Sequence, residues 1–244
     1  MERWPGKPED EFGRALGELT SGGPTKGALV RIRRAASTSA RRAGGRAVVS
    51  GRWLADALLE AAPHVPIRDL DTLREHHQGA SGSALADALI RNASRATGVV
   101  GGLSGAMISA EEMAPPSWVA IPLELVVETL VIAAIEIKLI AELHEVSGKP
   151  VGGTAGERSV ALARAWADRR GVTTAALGGG LGEVVGRSTR REVARLLQRR
   201  LMLRTARNTV TLAPFLAGAV AGAEVNRRAT RALGEAVVRD LARR

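Results

Sequence analysis

The residues best suited to chemistry are charged side chains within one long apolar segment. From Pro122 to Val146 the chain has no glycine and no further proline, and six charged residues interrupt its apolar run: Glu124, Glu128, Glu136, Lys138, Glu142 and Glu145. At 100° per residue along a helix, all of them except Glu136 fall within an arc of about 100°. Carboxylates grouped in this way can serve as general acids and bases, or can bind a cation.

The same spacing has a simpler interpretation, and it is the favoured one: a solvent-facing stripe on an otherwise buried helix. The alternative is an acidic groove that meets a metal, a basic ligand or an arginine-rich helix. If the chain is an enzyme that uses these carboxylates, Asn226 is expected nearby in space. Glu136 stands apart among Ile132, Ile135, Ile137 and Ile140. A carboxylate in such surroundings needs a partner or must become protonated, so we predict a buried arginine beside it.

Other chemistry has less support in the sequence. The chain has no cysteine, which excludes disulfides and thiolate metal sites. Its four histidines lack metal-binding spacings such as HExxH, although His76 and His77 lie close to three acids. The Gly-Leu-Ser-Gly stretch around Ser104 follows a predicted helix rather than a strand, unlike a nucleophile elbow. We therefore expect neither a metal nor a cofactor.

Basic residues flank this acidic centre on both sides. The net charge is +10, and residues 26–52 contain eight Lys or Arg and no acid. Basic blocks of this kind are typical of proteins that meet an anionic surface. The expected partners are an anionic membrane surface or an acidic protein, and nucleic acid is disfavoured because no aromatic residues are interleaved for stacking. The candidate basic surface comprises Arg31, Arg33, Arg34, Arg41, Arg42, Arg191, Arg195 and Arg199.

The elements that position these residues are predicted to be helices throughout. Ala, Leu and Val dominate the apolar residues and Tyr is absent, a composition that favours helix over strand. We predict an all-α protein, with a compact multi-helix bundle around one central apolar helix over about 122–146. Residues 1–50 are predicted to be a flexible basic arm, and 51–244 a single helical domain with a Gly-rich connector near 171–187.

Three apolar segments, 96–110, 117–147 and 208–223, invite comparison with membrane spans. The first and third are short and diluted by small polar residues, and the second carries too many charges to insert cheaply. The first residues contain no apolar run like that of a signal peptide. We therefore expect a cytoplasmic protein that attaches to the inner face of the cell membrane peripherally, if it attaches at all.

The order of these segments resembles the EcsC-like family of bacterial proteins over residues 85–240. The likeness lies in a small-residue apolar segment (Gly98, Gly101, Gly102, Gly105), the long helix that starts at Ile121-Pro122-Leu123-Glu124, and a closing segment with Ala213-Pro214-Phe215, Gly218, Gly222, Asn226, Thr230 and Ala236. The aromatic-plus-Asp pair common after that family's central helix is replaced here by Gly148-Lys149-Pro150. The resemblance implies a helical fold and a membrane-linked setting, since the namesake is linked to a membrane transport system, but no defined reaction.

These observations favour a helical accessory or scaffold protein of EcsC-like type that binds through its basic surfaces. The alternative is an enzyme that uses carboxylates of the central helix, and the second alternative is non-specific binding of nucleic acid. The candidate binding residues are Glu124, Glu128, Glu136, Lys138 and Asn226. An enzyme requires Glu124, Glu128 or Glu136 to converge with polar groups of other helices in a pocket that solvent reaches, whereas a scaffold should show Arg–Glu pairs and no cavity.

Overall fold

The computed structural model describes residues 27, 30–32, 34, 35, 38, 52–111, 123–169, 193–195, 197–199 and 215–243. Six longer helices account for most of these residues: α1 (Arg52–Ala61), α2 (Leu70–His76), α3 (Gly82–Glu111), α4 (Leu123–Val146), α5 (Ala155–Arg169) and α6 (Phe215–Arg243). A single 3₁₀ turn, Ala62–His64, follows α1. The described part contains helices and no strands, which confirms the predicted all-α class.

Helix α4 lies at the centre of the bundle, as its composition predicts. It contacts each of the other five helices, α1, α2, α3, α5 and α6. Every side chain from position 127 to position 143 is buried. A helix that is apolar on nearly all of its faces can be satisfied only by neighbours on all sides. The predicted bounds, about 122–146, agree with the observed helix.

Local signals set the ends of the helices as the sequence indicates. Asp69 caps α2, where its carboxylate accepts a hydrogen bond from the backbone N–H of Thr72 at 2.8 Å. Helix α4 ends at Val146, and Gly148 two residues further on has a φ of +69° that favours glycine.

The apolar spacing of Val160, Leu162, Ala163 and Trp166 predicts a helix over 158–170, and the observed helix α5 starts three residues earlier, at Ala155. There Thr154 and Glu157 exchange hydrogen bonds as a capping box.

Helices α3 and α6 run antiparallel and make the most extensive contact of any two helices in the described part. Gly101 of α3 lies against Gly222, and Ile90 lies against Gly234 further along the pair. A Cβ added to Gly101 would come within 2.9 Å of the Gly222 carbonyl oxygen, so the two backbones approach as closely as glycine allows. The small-residue spacing noticed in the sequence is therefore a helix-packing device within this chain.

Helix α6 corrects one detail of the predicted pattern. The spacing of the sequence predicts that Val225, Ala229, Leu233, Val237 and Leu241 face inward. The three residues from Leu233 onward are buried, but Val225 is 46% exposed and Asn226 takes the inward position instead. The inward stripe thus begins with polar residues because it meets the charged side chains of α4.

The basic segments on either side of the centre are only partly described. All seven described residues between 27 and 38 are helical, and two of them, Ile32 and Ala35, are buried in the core. The rest of the predicted arm over 1–50, and the predicted connector near 171–187, lie outside the described residues. The described residues of 193–199 are helical, with Val193 and Leu197 fully buried.

A membrane span requires a long helix of high mean hydropathy with few charges. None of the helices in the described part meets this requirement.

Candidate functional site

The charged side chains of α4 point into the bundle, not out of it. Glu128 is 1% exposed, Glu136 0%, Lys138 6% and Glu142 3%. The favoured interpretation as a solvent-facing stripe is therefore wrong for Glu128, Lys138 and Glu142, whereas Glu136 lies outside that stripe and Glu145 is half-buried. The physical reason is that helices on every side of α4 bring polar groups to this stripe. Glu124 lies in the first turn of α4, and its side chain is outside the described part.

Glu136 is held by neutral hydrogen-bond donors from two neighbouring helices. The indole Nε1–H of Trp166 on α5 donates to Oε2 at 2.7 Å, and the hydroxyl of Thr230 on α6 donates to Oε1 at 2.9 Å. Thr97 of α3 extends the network, because its hydroxyl donates to the Thr230 oxygen at 3.0 Å. The Glu136 carboxylate on α4 thus contacts α5 and α6 directly, and it is connected to α3 through Thr230. The buried arginine predicted beside Glu136 is not among these contacts.

Glu128 lies two turns before Glu136 and is joined to α6 by Asn226. The Asn226 amide Nδ2 donates to Oε1 of Glu128 at 2.7 Å. Asn226 is 8% exposed, and it passes beside Gly101, where a larger residue would collide with its amide. The predicted proximity of Asn226 to the α4 carboxylates is thus observed. The geometry requires glycine on α3 as well as asparagine on α6.

Glu142 and Lys138 form a third polar contact, near the C-terminal end of α4. The guanidinium of Arg68 donates two parallel hydrogen bonds to Glu142, Nε to Oε1 at 2.8 Å and Nη2 to Oε2 at 2.9 Å. The Lys138 ammonium lies 2.9 Å from Oε1 of the same carboxylate, and it also donates to the Pro66 carbonyl. These bonds fasten the segment between α1 and α2 to the central helix.

The protonation behaviour of this contact follows from its surroundings. Burial acts to raise the pKa of Glu142, but the hydrogen bonds from Arg68 and the charge of Lys138 outweigh it, so that the pKa lies below its ordinary value. Burial lowers the pKa of Lys138 despite the attraction of Glu142. The hydrogen bond to Glu142 raises the pKa of Arg68. Glu142 and Arg68 therefore form an ion pair at neutral pH.

Three residues that contact the α4 carboxylates or extend their hydrogen bonds could not be identified from the sequence: Trp166, Thr97 and Arg68. The spacing of α5 predicts Trp166 only as an inward-facing core residue, and no pattern in the sequence assigns a role to Thr97 or Arg68. Their importance depends on which helices lie beside α4, and that arrangement is tertiary. The sequence draws attention to Thr230 and Asn226 in one way: both belong to the closing segment on which the resemblance to the EcsC-like family rests.

The sequence-predicted basic residues fall into two groups. Arg31, Arg34, Arg195 and Arg199 are described and exposed. Arg33, Arg41, Arg42 and Arg191 lie outside the described residues. Arg195 and Arg199 are one helical turn apart on the face opposite the buried Val193 and Leu197. Neither of these two arginines forms an ion pair with another described residue.

The arrangement offers no evident place for a metal ion. Within the described ranges, no three His, Asp or Glu side chains are grouped closely enough to bind one. Glu128, Glu136 and Glu142 instead receive hydrogen bonds from donors of the surrounding helices. These three carboxylates join α4 to the elements packed around it through hydrogen bonds. Comparison with protein-family models, with curated proteins and with solved structures finds no match to this chain.

Proposed function

We propose that this chain is a helical accessory or scaffold protein that attaches peripherally to an anionic membrane surface through its exposed arginines. The observation that carries the proposal is the separation of charge between interior and surface. Glu128, Glu136 and Glu142 are buried, together with Lys138. When these three carboxylates and one ammonium are taken out of the net charge of +10, the rest of the chain carries +12.

This separation sets the sign of the field that a partner meets. The charge of Glu142 is offset within a few ångströms by Arg68 and Lys138, so this buried carboxylate contributes little to the outer potential. An exposed arginine that has no carboxylate partner attracts an anionic membrane with its whole charge. Each basic residue close to an anionic membrane contributes about 1 kcal/mol of attraction, which salt screens. Attachment of this type needs no apolar helix that enters the bilayer.

Arg195 and Arg199 are the described residues best placed for this role. The buried Val193 and Leu197 hold the stretch against the core, so that the two guanidinium groups project together on the outer side. The resemblance to the EcsC-like family agrees with a membrane setting, and we propose a distant relationship on the residues quoted above.

The burial of the α4 carboxylates weighs against the enzyme alternative. A catalytic carboxylate must reach its substrate at hydrogen-bond distance. Glu128 and Glu136 are at most 1% exposed and already receive hydrogen bonds from side chains of α5 and α6. Removing either group should lower stability rather than turnover. Binding of nucleic acid remains an outcome that a direct assay can reveal.

The test is sedimentation of the protein with vesicles of phosphatidylcholine alone or with added phosphatidylglycerol, at low and high salt. Binding should require the anionic lipid and should fall as salt rises. The variant Arg195→Gln/Arg199→Gln removes about 2 kcal/mol, so its affinity should drop about 30-fold. Binding that is equal on both lipids, or an unchanged affinity of this variant, would refute the proposal. Selective binding to an acidic protein or a nucleic acid, without vesicle binding, would do the same.

The matched control is Arg227→Gln/Arg231→Gln, which removes the same formal charge. Arg227 is paired with Glu224, whose pKa is lowered to about 2 by hydrogen bonds from Arg227 and Arg228. Arg231 is paired with Glu235 at 3.0 Å. These arginines already form ion pairs with carboxylates of their own helix. The control should therefore weaken binding to the vesicles much less than Arg195→Gln/Arg199→Gln does. An equal loss in both variants would mean that total charge, rather than the Arg195 surface, governs attachment.

A further inference from the structure

We draw no further inference here: the strongest candidate, the exposed apolar surface that Val99 of α3 and Val220 and Val225 of α6 present on the α3–α6 pair, carries nothing because nothing in the described part of the chain shows what covers it.

Discussion

Replacing Gly101 by alanine should disrupt the contact that joins α3, α4 and α6. The new Cβ would lie 2.9 Å from the Gly222 carbonyl oxygen and closer still to the amide of Asn226. The backbone of α6 cannot move away without disturbing the rest of the pair, so Asn226 must give way. That movement would break its hydrogen bond to the buried Glu128.

The magnitude follows from three contributions. Alanine gains about 1 kcal/mol over glycine in the interior of a helix. Overpacking costs about 1–3 kcal/mol. Loss of a hydrogen bond to a charged group costs about 1.5–3 kcal/mol. The net destabilisation is therefore about 3 kcal/mol, which lowers the melting temperature by about 6–12 °C in a chain of this size.

The assay is urea denaturation followed by circular dichroism, with Gly156→Ala as the control. Gly156 lies in the first turn of α5, and no atom comes within 4 Å of an added Cβ, so this control should be neutral or slightly stabilising. The double variant Gly101→Ala/Asn226→Ala should lose less than the sum of the single variants by at least about 1 kcal/mol, since both changes break the same hydrogen bond. Additive losses, or a Gly101→Ala protein as stable as the wild type, would refute the reasoning.

Three further predictions concern other contacts. Gly234→Ala would place a Cβ 2.6 Å from Cγ1 of Ile90, so it should cost about 1–3 kcal/mol, and Ile90→Ala should cost less in that background than alone; an equal cost in both would count against the packing. Trp166→Phe removes the donor to the buried carboxylate at 2.7 Å and should cost about 2–4 kcal/mol in urea denaturation; a loss below about 1 kcal/mol would mean that the hydrogen bond contributes little. Acid titration should show two phases. His77 has a folded-state pKa below its ordinary value, so stability should begin to fall as pH drops through about 6.5. Glu142 also has a lowered pKa, so its contribution should be lost as pH falls below about 4.3, together with those of Asp69, Glu157 and Glu224. Glu142→Gln should therefore reduce this second phase, and an unchanged second phase would contradict the reasoning.

Sequence patterns predicted where the helices lie along the chain better than they predicted which side chains the helices contact. The helix over 122–146, the Asp69 cap and the Gly148 stop follow from local rules, because propensity and capping act over a few residues. The position of α4 at the centre follows from its apolar character on nearly all sides. The charges on one face of α4 led to a wrong prediction of solvent exposure. A helical wheel shows which residues share a face of a helix, but not whether solvent or another helix contacts that face.

The partners of the α4 carboxylates could not be predicted for the same reason. The sequence singles out Glu136 as a charge that needs a partner, and the indole of Trp166 and the hydroxyl of Thr230 donate hydrogen bonds to it. The predicted arginine stays a prediction. Trp166 and Thr230 are 30 and 94 residues away along the chain. Only the packing of α5 and α6 on α4 brings them to one carboxylate.

Fractionation of cells that express the protein tests peripheral attachment most directly. After lysis at low salt the chain should sediment with the membranes. A wash with high salt should release it, because the attraction comes from exposed arginines that salt screens. Recovery in the supernatant before any wash would contradict the account, and so would retention through both high salt and alkaline carbonate.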